Sequence, residues 1–199
     1  MNILSSRNAL DEAVRILNRP GSVLLVPTET VYGLVCSWND AAARTRIYEL
    51  KHRAENKPFA AFIPDLGSLP PEAMLPETAR RLAARFCPGP ITLVVPDRNG
   101  GTFGFRIPDH PFILALLKRF GGALASTSAN LSGQPPARNV GYGLQSIDGE
   151  VDLAVDGGPL PPDSPASTVV QVFPDSSWKI LREGPISAEQ IAVTAGNRA

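Results

Sequence analysis

The chain has 199 residues, of which 43% are hydrophobic and 19% are charged, and its formal net charge is zero. This length suits one globular domain with a full-sized core, and the composition excludes a disordered chain and a coiled coil. A protein that binds duplex nucleic acid over a large surface usually carries an overall basic excess, which is missing here. Any polyanion that this chain binds should therefore be small, or held by a local cluster of basic residues.

Cysteine usage and the N-terminal segment point to the cytoplasm. Cys36 and Cys87 lie far apart and form no CxxC pair, so the pattern does not indicate a disulfide-stapled secreted scaffold. The first residues lack the apolar centre of a signal peptide, and no apolar run approaches ~18 residues. We therefore expect a soluble, cytoplasmic protein without a membrane segment.

Apolar periodicity and turn residues predict helices mixed with strands. An i, i+3, i+4, i+7 apolar stripe predicts a first helix over 7–18, which Ser5 or Ser6 can cap, and the apolar run 22–26 predicts a buried strand. The segment 133–149 is predicted to be a loop. The elements predicted after residue 26 are, in chain order, helix 40–51, strand 59–63, helix 76–86, strands 91–95 and 102–107, helix 110–120, strands 123–126, 151–155, 168–173 and 178–181, and helix 187–193.

Together these elements predict an α/β fold made of a single domain over residues 1–199. Strands and helices do not alternate strictly, which favours a twisted mixed β-sheet flanked by helices over a doubly wound fold. The sequence contains no internal repeat and no stretch typical of an inter-domain linker.

The first candidate site segment is 27–34 (PTETVYGL), which directly follows a predicted buried strand. Strand ends of α/β sheets are where ligand-binding groups gather. Here the hydroxyls of Thr28 and Thr30 stand beside a carboxylate and a phenol, which suits a zwitterionic or hydroxylated ligand. A capped turn would explain the same residues equally well.

The second candidate is a basic segment that contains Lys51, Arg53 and Lys57. A local positive patch in a neutral protein favours phosphate, since lysine offers a point charge and arginine a planar fork. The simpler alternative is a solvated helix end, because cations suit the C-terminus of a helix.

Two further segments carry polar groups in or after apolar strands. Arg106 lies among apolar neighbours, where a guanidinium needs an anionic ligand or an internal carboxylate as its partner. The run 126–133 (STSANLSG) offers small hydroxyl and amide groups that can approach a nucleotide, or simply forms a turn. The motifs around Ser167 and Arg182 are weak by themselves.

Several catalytic patterns are missing from the sequence. It contains neither GxxxxGK[ST] nor GxGxxG, and its two histidines, His52 and His110, belong to no metal-binding motif. No nucleophile pairs recognisably with a base. We therefore predict no protein-built metal site and no covalent catalysis. If a nucleotide binds, we expect Mg²⁺ to arrive on its phosphates.

Six segments, in this order, resemble the YrdC/TsaC family of L-threonylcarbamoyladenylate synthases: PTETVYGL, the KxR…KP element, CPGPITLVV, FRIPDHP, STSANLSG and REGP. The resemblance implies one α/β domain with a twisted mixed sheet around a basic cavity. It implies ATP, L-threonine and bicarbonate as substrates of adenylyl transfer, with threonylcarbamoyl-AMP and pyrophosphate as products. A downstream tRNA threonylcarbamoyl transferase complex would use the product to modify tRNA.

Carried over position by position, the resemblance also implies the residues of the site. Lys51 and Arg53 would be the catalytic cations. The implied threonine contacts are Thr28, Arg106, Ser126 and Ser167. The implied ATP contacts are Lys51, Arg53, Lys57, Thr102, Ser128, Asn130, Pro136 and Arg182.

The sequence departs from the family pattern at two positions. Ala54 stands where many members have proline, and Phe62 stands where some have a histidine near threonine, so that direct contact would be absent. The chain is expected to be a short form without the extra C-terminal domain of longer members.

Two other functions stay open. The same basic surface could bind RNA or tRNA weakly, or a related enzyme could form a carbamoyl- or acyl-adenylate on a different acceptor.

Overall fold

The computed structural model describes residues 2–196, and its centre is one ten-stranded β-sheet with helices packed against it. The strands are β1 (Asn2–Ser5), β2 (Leu24–Val26), β3 (Gly33–Ser37), β4 (Ala60–Phe62), β5 (Ile91–Pro96), β6 (Thr102–Arg106), β7 (Leu124–Ser128), β8 (Leu153–Asp156), β9 (Thr168–Val172) and β10 (Trp178–Arg182). The helices are α1 (Leu10–Leu17), α2 (Ala41–Lys51), α3 (Glu77–Phe86), α4 (Pro111–Phe120), α5 (Val140–Gln145) and α6 (Ala188–Ala195), with a short 3₁₀ helix at Leu66–Ser68.

The sheet is mixed, as predicted. Its strand order is β1-β8-β2-β3-β7-β4-β6-β5-β9-β10. The pairs β1/β8, β2/β8, β4/β6 and β5/β9 are parallel, and the other neighbours are antiparallel. Of the nine pairs of adjacent strands, only β2/β3, β5/β6 and β9/β10 are consecutive in the chain. Side chains from distant parts of the sequence therefore meet on the central strands.

Local signals explain where three of the helices begin or end. Asp40 caps α2, since its side chain accepts a hydrogen bond from the backbone N–H of Ala43 at 2.9 Å. Gly121 ends α4 in the left-handed conformation, with φ 74°. Ser187 and Gln190 form a reciprocal capping box at the start of α6. Each of these helices was predicted from the sequence.

The sequence prediction was wrong in four places. The segment that forms β1 was predicted as a helix cap, and α1 begins only at Leu10. No strand was predicted where β3 lies, and α5 lies inside the predicted loop 133–149. Strand β1 is mostly exposed and pairs only with β8, so its conformation comes from a partner about 150 residues away in the chain.

Three apolar clusters hold helices to the two faces of the sheet. One joins α1 and α4 to the strands around β2, one lies beneath α2, and one lies beneath α3 and α6. Trp38 packs against the last two clusters and meets Phe103 edge-on, with 5.3 Å between the ring centroids.

Strand register places polar side chains on one face of the central strands. Ser126 lies beside Ala60, Phe62 lies beside Arg106, and Thr92 follows on the next strand. Because side chains alternate along a strand, these residues point to the same side of the sheet. That side carries a cavity instead of a packed helix.

Candidate active site

The cavity has a volume of about 610 Å³ and lies over strands β4 to β7 and β9. This size falls within the range of small-molecule sites. Eight of the residues implied by the resemblance line it: Thr28, Arg53, Thr102, Arg106, Ser126, Ser128, Ser167 and Arg182. They come from six separate segments of the chain, which the fold brings together around one cavity.

Four arginines, Arg44, Arg53, Arg106 and Arg182, border this single cavity, and the last three belong to the segments that the resemblance implies. Burial lowers the pKa of Arg182, and the charges of Arg106 and Arg53 lower it further. Burial also lowers the pKa of Arg53. Arginine stays protonated in proteins, so the repulsion is relieved by binding anions rather than by losing protons.

Arg106 is nearly inaccessible and is held on one edge. Its Nη2 donates to Glu29 Oε1 at 2.7 Å and to Thr30 Oγ1 at 3.0 Å, while Nε donates to the Gly89 carbonyl at 3.3 Å. Its guanidinium carbon lies 5.8 Å from the centre of the Phe62 ring. The internal carboxylate that the sequence left open as a partner is therefore present, and it is Glu29.

Arg182 is tied to the residue that the resemblance places beside threonine. Its Nε and Nη2 donate to the Ser167 carbonyl at 3.0 and 2.9 Å, and Nη2 also donates to Ser167 Oγ at 3.0 Å. Ser167 Oγ lies 2.8 Å from Thr92 Oγ1. The implied threonine and phosphate regions thus share a hydrogen-bonded wall.

Thr28 both forms a turn and lines the cavity. Its Oγ1 donates to the Val31 carbonyl at 2.7 Å and accepts from the backbone N–H groups of Thr30 and Val31 at 3.1 and 3.2 Å. The capped turn considered from the sequence is therefore real. The turn places the next residues, Thr30 and Val31, on the lining of the cavity.

Lys51, which the resemblance implies as a catalytic cation, lies behind the cavity rather than on its lining. The side chain is fully buried, and Nζ donates to the carbonyls of Ser128 and Asn130 at 2.5 and 2.6 Å. Burial lowers the pKa of Lys51 to about 7, with a further contribution from Arg53. Lys51 is the last residue of α2, and its aliphatic stem runs beneath the loop that follows β7. The ammonium group therefore meets the backbone of that loop instead of the cavity.

Three other implied ATP contacts are also not among the lining residues. Lys57 is exposed, and Pro136 is half-buried in the loop after β7. Asn130 turns its amide into that loop, where Nδ2 donates to the Leu131 and Gln134 carbonyls at 2.7 and 2.9 Å and Oδ1 accepts from Ser128 Oγ at 2.5 Å. Asn130 therefore shapes the loop after β7 and contacts Ser128 at the end of that strand.

Sequence reasoning missed several lining residues, among them Thr92, Trp38 and Phe103. A signal existed for Thr92, because a threonine in the apolar run 91–95 is a polar group in a buried strand that needs a partner. No comparable signal marks Trp38 or Phe103, which read as ordinary core aromatics.

Gly184 sits where the chain crosses close to Ser167. A Cβ at this position would overlap the backbone nitrogen of Thr168 and lie 2.5 Å from the Ala166 carbonyl oxygen. We expect Gly184→Ala to lower the free energy of unfolding by about 2 kcal/mol and to reduce turnover, because the backbone around Ser167 must move. Gly141→Ala in α5, where a Cβ meets only a contact of 3.5 Å, is the control. Denaturant unfolding and rate measurements on both variants check this.

Within residues 2–196, no group of three or more His, Cys, Asp and Glu side chains could hold a metal ion. Around the cavity, hydroxyls and guanidiniums are the available polar groups, and the carboxylate of Glu29 is already paired with Arg106. This donor set suits phosphate oxygens better than a bare cation. In the same part of the chain, no helix is both long and apolar enough to cross a membrane.

Comparisons with known sequences and structures show the family and the fold of the chain. A family model named Sua5/yciO/yrdC, with the description telomere recombination, matches residues 17–184. The threonylcarbamoyl-AMP synthase of Rattus norvegicus is 38% identical over 94% of this chain and 71% of its own length. That of Bacillus subtilis is 36% identical over 90% of this chain, which spans 55% of the longer relative.

The fold is likewise shared with solved structures. Pyrococcus abyssi Sua5 in complex with L-threonine superposes with a TM-score of 0.87 at 30% identity, covering all of this chain and 62% of its own. Escherichia coli YciO superposes with a TM-score of 0.82 at 24% identity and supports the fold alone. Because the family model matches most of the chain and the rat enzyme is matched over more than two thirds of its length, the chain belongs to the YrdC/Sua5 family of threonylcarbamoyl-AMP synthases.

Proposed function

We propose that the cavity binds ATP, L-threonine and bicarbonate together and converts them into threonylcarbamoyl-AMP and pyrophosphate. The observation that carries this proposal is the convergence of Arg53, Arg106 and Arg182 on one cavity beside several hydroxyl groups. Such a cavity matches a substrate set with a triphosphate at one end and a carboxylate at the other. The threonine complex of Pyrococcus abyssi Sua5 supports a threonine site in this fold.

The two ends of the cavity differ in what they offer a ligand. Arg106, with the hydroxyls of Thr28, Ser126 and Ser167 around it, forms the end that we assign to threonine. The ATP end comprises Arg53, Arg182, Thr102 and Ser128, with Asn130 and Pro136 in the adjoining loop, Lys57 at the rim and Lys51 behind the loop.

In the proposed reaction the amine of threonine combines with carbon dioxide or bicarbonate to give a carbamate. A carbamate oxygen then attacks the α-phosphorus of ATP, and the bond to the β-phosphate oxygen breaks to release pyrophosphate. No side-chain nucleophile is needed. The protein's contribution is to hold the reactants in line and to neutralise the charge that spreads over the phosphates. Mg²⁺ bound to those phosphates would supply further neutralisation.

The product would serve the synthesis of threonylcarbamoyl-adenosine in tRNA, through a separate transferase complex. The alternative of an RNA-binding role for this surface gains no support from the cavity, whose size suits a small ligand. Binding to several RNA phosphates would weaken steeply with added salt, so a salt titration separates the two roles.

The test is to incubate the protein with ATP, L-threonine, bicarbonate and Mg²⁺, and to look for the adenylate by mass spectrometry. Pyrophosphate release should require threonine and bicarbonate. Serine and valine, compared at the same concentration, report whether the acceptor is threonine or another amino acid. Pyrophosphate release that is independent of any amino acid would contradict the proposal.

A further inference from the structure

Glu29 contacts Arg106 without being one of the residues that line the cavity. Its Oε1 accepts from Arg106 Nη2 at 2.7 Å and from the backbone N–H of Asp109 at 3.0 Å. The side chain of Glu29 is 19% exposed and that of Arg106 only 6%. One carboxylate oxygen therefore links the turn after β2, the end of β6 and the segment before α4.

The second carboxylate oxygen of Glu29, Oε2, lacks the hydrogen bonds that Oε1 accepts. Oε2 is buried and has no hydrogen-bond partner among residues 2–196, and the same is true of Nδ1 of the neighbouring His110. Burial lowers the pKa of His110, against the opposing effect of Glu29, so the imidazole is not a cationic partner for this carboxylate at neutral pH. A carboxylate kept only for packing would be expected to satisfy both oxygens.

The hydrogen bonds of Arg106 leave one of its guanidinium nitrogens available to a ligand. Glu29, Thr30 and Gly89 occupy Nη2 and Nε, and within the described residues Nη1 donates to no acceptor. The planar guanidinium is thus held along one edge, while its Nη1 corner remains for a ligand. Arginine binds carboxylates well because its donors are fixed in one plane, so the orientation of that plane matters.

We propose that Glu29 is a positioning residue for threonine binding: it fixes the guanidinium plane of Arg106 so that Nη1 faces the carboxylate of the amino acid. This rests on the proposed function, in which Arg106 binds that carboxylate. Glu29 also balances the charge of one of the four arginines that line the cavity. It acts through Arg106 and touches no reacting atom.

The test compares Glu29→Gln and Glu29→Asp with the wild-type protein. The first keeps the shape and removes the charge, and the second keeps the charge but is too short to reach both Arg106 and Asp109. We expect each to raise the KM for threonine by about tenfold, while the KM for ATP changes by less than about threefold, since a charge-assisted hydrogen bond is about twice as strong as a neutral one.

Asp148→Asn is the matched control, because Asp148 is an exposed carboxylate whose partner is His52 on the surface. It should leave both KM values unchanged. Stabilisation of each protein against thermal unfolding by threonine alone provides a readout that does not depend on turnover. Both Glu29 variants should show a reduced shift in Tm at a given threonine concentration.

The outcomes separate this inference from the proposed function. A wild-type protein that releases no pyrophosphate in the presence of threonine would remove the proposed function. If the wild type is active and the KM for threonine stays within about twofold in both folded Glu29 variants, only the positioning role is overturned. Equal increases in the two KM values would also overturn it, because they indicate a general structural loss.

Discussion

Replacing Arg106 with lysine is expected to raise the KM for threonine by about 100-fold, because about 3 kcal/mol of oriented charge–charge contact is lost. Lysine keeps the positive charge but offers it at a single point. It cannot donate to Glu29, Thr30 and a ligand carboxylate from one fixed plane, as Arg106 is placed to do. Steady-state rates measured over a range of threonine concentrations at saturating ATP give this value.

The control for this variant is Arg119→Lys on α4. Arg119 pairs with Asp11 on the surface, where both side chains are largely exposed. Arg119 does not line the cavity, so the KM for threonine should not change in this variant. The exposed ion pair contributes at most about 1 kcal/mol to stability, so the variant should also stay folded. An Arg106→Lys protein with a wild-type KM for threonine would place the carboxylate of the amino acid elsewhere in the cavity.

The contacts of Ser167 suggest why the two ends of the cavity should not behave independently. Its carbonyl and hydroxyl both accept from Arg182, which we assign to the phosphates, and its hydroxyl also contacts Thr92. A ligand that draws Arg182 toward a phosphate would loosen these bonds and release the hydroxyl of Ser167. Substitutions at Arg182 should therefore alter threonine binding as well as ATP binding.

Much of the fold could be predicted from local signals. Helices α2, α4 and α6 lie close to their predicted positions because each begins or ends through side-chain or glycine effects within a few residues. Strand β1 could not be predicted in this way. Its four residues, NILS, form a strand by pairing with β8, which follows about 150 residues later in the chain.

The candidate site was predicted unevenly for a similar reason. Some lining residues, such as Arg106 and Ser126, lie within strands, so their direction follows from the alternation of side chains. Lys51 and Asn130 lie at a helix end and in a loop. Their side chains fold back onto backbone carbonyls, and the motif alone does not reveal that geometry.

Lys51→Met is expected to lower kcat/KM for ATP by on the order of 100-fold. The ammonium of Lys51 donates to the carbonyls of Ser128 and Asn130 and lies 3.3 Å from Asn130 Oδ1, which in turn accepts from Ser128 Oγ. Without it, the end of β7 that presents Ser128 and the loop that follows lose a shared anchor. Methionine matches the length of the apolar stem of lysine but has no ammonium to donate. The rate of pyrophosphate release as a function of ATP concentration measures the loss.

Stability should respond much less than activity. Burial lowers the pKa of Lys51 to about 7, which means that the charged form is poorly solvated where it lies. Methionine removes that desolvation penalty, and the gain offsets part of the lost hydrogen bonds, so we expect the free energy of unfolding to change by less than about 2 kcal/mol. Lys118→Met, at an exposed position on α4, is the control and should change neither quantity. A folded Lys51→Met protein with wild-type kcat/KM for ATP would show that Ser128 is held by the rest of the loop alone.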